Sequence, residues 1–197
     1  IHNPVFWVSA VLILVFVLGT LMAPEAAKVA FAGAKGWSIS NFDWLFMVSG
    51  NIFVLFCLLL IVLPLGKIRI GGADAKPEFS IMSWFAMLFA AGMGIGLMFW
   101  SVAEPTAYYT NWFGTPLNAP PKTPEGADMA MGATMFHWGL HPWAIYAVVG
   151  LSLAFFSYNK GLPLTIRSGF FPLLKDGSWG WFGHLIDIVA VMATIFG

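Results

Sequence analysis

Residues 90–105 read Ala-Ala-Gly-Met-Gly-Ile-Gly-Leu-Met-Phe-Trp-Ser-Val-Ala-Glu-Pro, so three glycines lie in a run otherwise apolar enough to cross a bilayer. Each glycine costs a helix about 1 kcal/mol relative to alanine. Backbone N–H and C=O groups that lack a helical hydrogen bond are tolerated at membrane depth only where they line a cavity or are buried in protein. Gly92, Gly94 and Gly96 recur at every second residue and do not line one helical face, which favours an unwound segment over a small-residue packing face. The stretch therefore predicts a broken helix at a transport site.

The composition around this stretch is that of a membrane protein. Apolar residues make up 59% of the 197 residues and charged residues only 9%, a balance that places most of the surface against lipid. The net charge is zero, which gives no indication of a nucleic-acid partner. The single cysteine, Cys57, excludes a disulfide framework within these residues and is expected to pack as a small apolar side chain. No organic cofactor is expected.

The apolar runs predict an all-α polytopic helical bundle. Four stretches reach the length of about 20 residues that a spanning helix needs, and a fifth begins near Leu185. The four are Val5–Met22, Trp44–Leu65, Ile81–Ala103 and Met129–Phe156. The chain begins without methionine and ends inside the fifth run, so we expect a fragment of a longer protein.

The connections predict how the helices are oriented. The second and fourth connections hold six of the nine basic residues, which predicts that both, and the N-terminus, lie in the cytoplasm. The third connection, Tyr108–Asp128, is rich in proline and glycine and is expected to be an irregular external segment. Thr123 followed by Pro124 is a start signal for the fourth helix. The stretch Leu162–Phe182 is expected to be an interfacial helix along the inner leaflet.

Three aromatic residues share one broad face of the fourth helix. They are Trp138, Trp143 and Tyr146, placed at 100° per residue. Ring faces attract a quaternary ammonium, which cannot donate hydrogen bonds. Pro142 is expected to kink the helix between Trp138 and Trp143, and kink and rings together could shape a pocket. The alternative is that these rings belong to the aromatic belt at the membrane interface.

The ionisable residues of these helices have two interpretations each. His137 and His141 are spaced to hold a metal, but no third ligand accompanies them, and hydrogen bonds to neighbouring helices are the better interpretation. We place both on the opposite side of the helix from the three rings. Glu104 with Pro105 is expected to end the third helix as a solvated cap, with a functional carboxylate as the alternative. Asp187 is similarly ambiguous.

Two motifs together resemble the betaine/choline/carnitine transporter family. One is the run from Gly92 to Trp100 with Glu104-Pro105, and the other runs from His137 to Tyr146. The resemblance implies a twelve-helix transporter with two leading helices and two inverted five-helix repeats in a LeuT-like arrangement. Residues 1–80 would then be the leading helices with their cytoplasmic connection. Residues 81–197 would begin the first repeat, with helices three and four, the interfacial helix and the start of helix five.

The resemblance also implies a substrate site. Trp138, Trp143 and Tyr146 match the family's aromatic substrate box, and Met93 with Gly92 and Gly94 matches the unwound segment beside the substrate. Choline-preferring members can carry aspartate at the position of Gly96. Glycine there favours a zwitterion such as glycine betaine.

Coupling and assembly follow from the same resemblance. The carbonyls of Ala90 and Met93 match a sodium site, and Thr194 matches a threonine of a second one. We therefore expect sodium symport of a quaternary-ammonium compatible solute, used in osmoprotection, across the inner membrane, with a homotrimer as one assembly. The alternatives are a proton-coupled choline importer and a membrane osmosensor that does not transport. An enzyme is not expected, because the few intramembrane ionisable residues have poor mutual spacing.

Overall fold

The computed structural model describes residues 3–90, 93–112 and 114–196, and these residues form helices, turns and loops without a β-strand. They divide into two compact units, Ile1–Ala73 with Tyr146–Gly197, and Asp74–Ile145. Short 3₁₀ and π turns join the longer helices. The α-helices are α1 Asn3–Met22, α2 Pro24–Val62, α3 Ile81–Ala90, α4 Met93–Tyr109, α5 Pro124–His137, α6 Leu140–Ala154, α7 Phe171–Leu174 and α8 Trp181–Phe196.

The membrane-spanning character predicted from composition is confirmed. Three helical stretches in the described part of the chain are long and apolar enough to cross a bilayer, namely Pro4–Met22, Pro24–Val62 and Pro124–Asn159. Two shorter apolar helices, Ile81–Ala90 and Trp181–Ile195, accompany them. Most large apolar side chains are exposed, as expected for surfaces that face lipid.

Helix α2 is longer than predicted. The prediction of a first connection up to Trp44 is wrong, because α2 begins at Pro24 and runs for 39 residues. Pro24 occupies the first turn, where a missing N–H costs nothing, and the alanine-rich segment that follows is a strong helix former. At 1.5 Å per residue α2 is about 58 Å long. It therefore exceeds the hydrocarbon core of about 30 Å.

Helix α4 continues through its proline. The prediction that Glu104-Pro105 ends the third helix is wrong, since α4 extends to Tyr109 with Pro105 inside it. Helix α4 packs along α5. This packing buries Glu104 and Ala107, and tertiary packing of this kind overrides the local preference to stop at proline.

The start of α5 is as predicted. The hydroxyl of Thr123 accepts a hydrogen bond from the backbone N–H of Gly126 at 3.0 Å, and Pro124 follows in the first turn. The third connection is irregular as predicted, although it is shorter at both ends because α4 and α5 extend into it.

The segment before α8 is not one interfacial helix. Residues 166–179 form a 3₁₀ turn, the short α7 and a second 3₁₀ turn. Arg167, Ser168 and Ser178 are buried in it, so these three residues face the interior of the unit. Gly183 of α8 lies so close to the main-chain carbonyl of Ser178 that any Cβ would overlap it. Helix α8 starts at Trp181, four residues before the predicted start at Leu185.

A buried ion pair joins this segment to α8. The Nε of Arg167 donates to Oδ2 of Asp187 at 2.6 Å, and the backbone N–H of Arg167 donates to Oδ1 at 3.1 Å. The Nη1 of Arg167 lies 3.1 Å from Nδ1 of His184. Both charged side chains are almost completely buried, so Asp187 has a structural role within this unit.

The second and fourth connections meet in space. The side-chain oxygen of Asn159 accepts from the backbone N–H of Gly71 at 2.9 Å, and its amide nitrogen donates to the carbonyl of Arg69 at 2.9 Å. Both connections therefore lie at the same end of their helices. This agrees with the prediction from basic residues that the two share one side of the membrane.

Candidate functional site

The glycine run is helical in the part that the structure describes. Helix α3 is described up to Ala90, and α4 is described from Met93 onward. The predicted break at Gly92 lies outside the described residues. Met93, Gly94 and Gly96 belong to α4, so the prediction that this part of the run is unwound is wrong.

Gly94 and Gly96 have different surroundings. A Cβ on Gly94 would lie 2.8 Å from Cζ of Phe89, so this glycine lets α4 approach the Phe89 ring of α3. At Gly94, the alternative interpretation of the glycine run as a face of small residues for helix packing is therefore the one that agrees with the structure. A Cβ on Gly96 would meet no atom within 4 Å. There is thus room for a side chain at position 96.

The fourth predicted span is interrupted at Trp138 and Gly139. Helix α5 ends just before this pair, and α6 begins directly after it, which agrees with the predicted kink between Trp138 and Trp143. Pro142 has no N–H to donate to the carbonyl of Trp138 one turn earlier. The Nε1–H of Trp143 donates to that carbonyl instead, at 3.0 Å. The indole of Trp143 therefore replaces the donor that Pro142 lacks.

Glu104 is the buried centre of a polar cluster between α4 and α5. Only 3% of Glu104 is exposed, so the expectation of a solvated cap is wrong. Its Oε2 accepts from Nε1 of Trp138 at 2.6 Å, and its Oε1 lies 2.7 Å from Nδ1 of His137. The hydroxyl of Tyr108, one turn further along α4, also hydrogen-bonds to Glu104. The carboxylate of Glu104 therefore lies against the N–H edge of the Trp138 indole ring.

His137 bonds to a neighbouring helix, as predicted. Its placement opposite Trp138 on a continuous helix is wrong, because α5 ends at His137 and the ideal 100° step does not continue. Both side chains consequently reach the same carboxylate.

The three predicted box rings are placed as follows. Trp138 is half-buried at the break, while Trp143 and Tyr146 are exposed on α6 by 42% and 56%. Tyr146 is three positions after Trp143, so the two lie on one side of that helix. The assembly of all three rings into one box stays a prediction.

The predicted sodium ligands lie in α3, α4 and α8. Ala90 is the last described residue of α3. Met93 begins α4, so its carbonyl takes part in the regular helical series. The Oγ1 of Thr194 donates to the carbonyl of Ala190 at 2.9 Å, which leaves its lone pairs available to a cation. Thr194 lines an open cleft of about 580 Å³ that also contacts Arg167 and Asp187.

The comparison with known families decides the class of protein. The family model described as "BCCT, betaine/carnitine/choline family transporter" matches residues 4–197. The chain belongs to this family. The family is described as one of transporters, in agreement with the expectation that the chain is not an enzyme.

Relatives of this BCCT chain are similar to it along its length. "Glycine betaine transporter 1" of Vibrio parahaemolyticus is 64% identical over 100% of this chain and 38% of its own. A glycine betaine/proline/choline/ectoine transporter of the same organism is 57% identical over 100% of this chain and 35% of its own. Glycine betaine transporter OpuD of Bacillus subtilis is 42% identical over 99% of this chain and 38% of its own. The chain thus spans less than two fifths of the length of these relatives.

Sequence reasoning missed two features of this BCCT chain. The contact of Glu104 with Trp138 was not predicted, although an ionisable residue at membrane depth is itself a signal of function. The spacing of Glu104 and Tyr108, which share one helix face, was a second signal. The pairing of Arg167 with Asp187 depends on the fold of residues 166–179 and had no local signal.

Proposed function

We propose that this chain is part of a secondary transporter that imports a quaternary-ammonium compatible solute, with glycine betaine as the first candidate. The observation that carries the proposal is the helix interruption at Trp138, where two tryptophans are held by hydrogen bonds on either side of the break. A trimethylammonium group is bound through ring faces because it cannot donate hydrogen bonds. Interrupted helices are a common place for substrate sites in transporters.

The names of the relatives and the residue at position 96 support a zwitterion. Three relatives are described as glycine betaine transporters, one of them with choline among its substrates. Gly96 supplies no charge, so a ligand near it must bring its own anion to balance the ammonium. Glycine betaine has a carboxylate, and choline does not.

We propose sodium as the coupling ion in an alternating-access cycle. The carbonyl of Ala90 and, at a second site, the hydroxyl of Thr194 are hard oxygen ligands of the kind that bind sodium. Sodium binding would stabilise the conformation of the transporter that binds substrate. Substrate and ion would then favour the same conformation, and each would raise the affinity for the other.

One observation favours a second candidate, a proton-coupled choline importer. A buried carboxylate paired with an imidazole, such as Glu104 with His137, is a common part of proton relays in membranes. A sensor of osmotic stress that does not transport is a third candidate. It differs from both importers in the absence of uptake.

The test is uptake into proteoliposomes that contain the whole transporter. Labelled glycine betaine should accumulate under an inward sodium gradient and continue to do so when a protonophore collapses the proton gradient. Replacement of sodium by potassium should abolish uptake. Uptake that is abolished by the protonophore and indifferent to potassium would move the protein to the proton-coupled candidate. No uptake of betaine or choline under any gradient would favour the sensor.

We further propose a cytoplasmic N-terminus in the inner membrane, a homotrimer, and a role in osmoprotection. The meeting of Asn159 with Gly71 supports one common side for the two basic connections. Labelling of Lys67→Cys by a membrane-impermeant thiol reagent tests the orientation. Labelling only after the cells are permeabilised would indicate that residue 67 lies in the cytoplasm. Labelling of intact cells would contradict this orientation.

A further inference from the structure

We propose that Glu104 is a positioning residue that fixes the indole of Trp138 for a cationic head group. The inference rests on the proposed function, because it assigns Trp138 to the substrate site. It adds a residue of α4, distant in sequence, that acts through the ring rather than by touching the substrate.

The two carboxylate oxygens of Glu104 contact different residues. Oε2 accepts from Nε1 of Trp138 at 2.6 Å, and Oε1 faces Nδ1 of His137 at 2.7 Å. Hydrogen bonds to an ionised acceptor are shorter and about twice as strong as neutral ones. With 3% of Glu104 exposed, water does not compete for either oxygen.

Trp138 needs such support because of its place in the chain. It follows the last residue of α5 and precedes α6, so regular helix does not hold its backbone on both sides. The contact with Glu104 is at the edge of the ring, where the N–H points. A bond in the ring plane fixes the orientation of the indole and leaves its faces uncovered by the carboxylate.

The charge of Glu104 also affects what the ring binds. A cation over an indole is attracted by the negative potential of the ring face. An anion that accepts the indole N–H adds negative potential at the same place, and its field is weakly screened in a buried site. The arrangement therefore favours a permanent cation over a neutral group of the same shape.

The experiment is a double-mutant cycle in the whole transporter, with Glu104→Gln, Trp138→Phe and the two combined. Glutamine accepts a hydrogen bond through only one of its two ends, and phenylalanine keeps a ring but has no N–H. Glu104→Gln should raise the KM for glycine betaine about tenfold, the size of one hydrogen bond to a charged group, with little change in the maximal rate. In the Trp138→Phe background the same substitution should change KM by less than about twofold, because contacting residues are not additive.

Two controls separate positioning from other roles. Glu125→Gln changes an exposed glutamate in the first turn of α5 and should leave KM unchanged. His137→Gln removes the imidazole and leaves the indole contact in place. If the effect of Glu104→Gln disappears in the His137→Gln background and persists in Trp138→Phe, the carboxylate acts through His137 and the proposal is overturned.

Three further results would overturn the proposal about Glu104 or the proposed function. An equal KM in wild type and Glu104→Gln overturns this proposal alone, whereas no betaine uptake by wild type overturns the proposed function with it. If Glu104→Gln does not reach the membrane, the test uses Trp138→Phe alone. Loss of the indole N–H should by itself raise the KM for glycine betaine several-fold. An unchanged KM in Trp138→Phe overturns the proposal.

Discussion

The indole Nε1 of Trp143 donates a hydrogen bond to the main-chain carbonyl of Trp138 at 3.0 Å, across the break between α5 and α6. The bond makes Trp143 part of the backbone structure of the break, in addition to its predicted contact with substrate. Substitutions of Trp143 therefore remove two things, a ring face and a donor to a carbonyl that Pro142 leaves without one.

Substitution of Trp143 separates these two roles. Trp143→Ala should weaken glycine betaine binding by about 1–2 kcal/mol, the range for a desolvated cation–π contact. Trp143→Phe keeps a ring and should lose less. Isothermal titration of the purified whole transporter measures both, with Trp181→Ala as a control for loss of a tryptophan outside the predicted site. Equal affinity of wild type and Trp143→Ala would remove this residue from the site.

Position 96 tests the choice of substrate. A side chain fits there, since a Cβ would meet no atom within 4 Å. Gly96→Asp should improve choline uptake and impair that of betaine, because like charges brought together cost several kcal/mol. Gly96→Asn has nearly the same shape without the charge and is the matched control. A choline-to-betaine uptake ratio that is the same in both variants would show that charge at position 96 is not felt by the substrate.

Thr194 tests the second predicted sodium site. Thr194→Ala removes the hydroxyl oxygen and should raise the sodium concentration for half-maximal betaine uptake, whereas Thr194→Ser keeps the oxygen and should stay close to wild type. Uptake measured over a series of sodium concentrations gives both values. The same sodium dependence in wild type and alanine variant would exclude Thr194 as a ligand.

The buried pair of Arg167 and Asp187 should dominate the stability of its unit. Arg167→Met or Asp187→Leu alone should destabilise the protein by about 3–5 kcal/mol, because each leaves a buried charge without its partner. The double substitution should recover part of this loss. Thermal unfolding in detergent measures the effect, with exposed Lys175→Met as control. Additive losses in the double variant would contradict the pairing.

Local chemistry explains what could be predicted from the sequence. Thr123-Pro124 carries its own capping signal, and Pro142 by itself removes a helical hydrogen bond, so the start of α5 and the interruption before α6 were predictable. The apolar runs likewise predicted the three stretches of the described chain that are long enough to span, although not their bounds. The extension of α2 to Pro24 was not predicted because Lys28 and Lys35 make that segment less apolar than a spanning run, although its alanines favour a helix.

The features that could not be predicted depend on packing between distant segments. Glu104 precedes a proline, and only the contact of α4 with α5 shows that it is buried. Gly94 is explained by the ring of Phe89 on another helix. The turns of residues 166–179 form around Arg167, whose partner lies 20 residues later in the chain.

The central claim is that the rings beside the helix break bind a quaternary ammonium through its positive charge. The most direct measurement compares the affinity of the whole transporter for glycine betaine and for tert-butylacetate, in which carbon replaces the nitrogen with nearly the same shape. The account predicts that the carbon analogue binds at least about tenfold more weakly, which corresponds to loss of a cation–π contact. Equal affinity for the two compounds would contradict it.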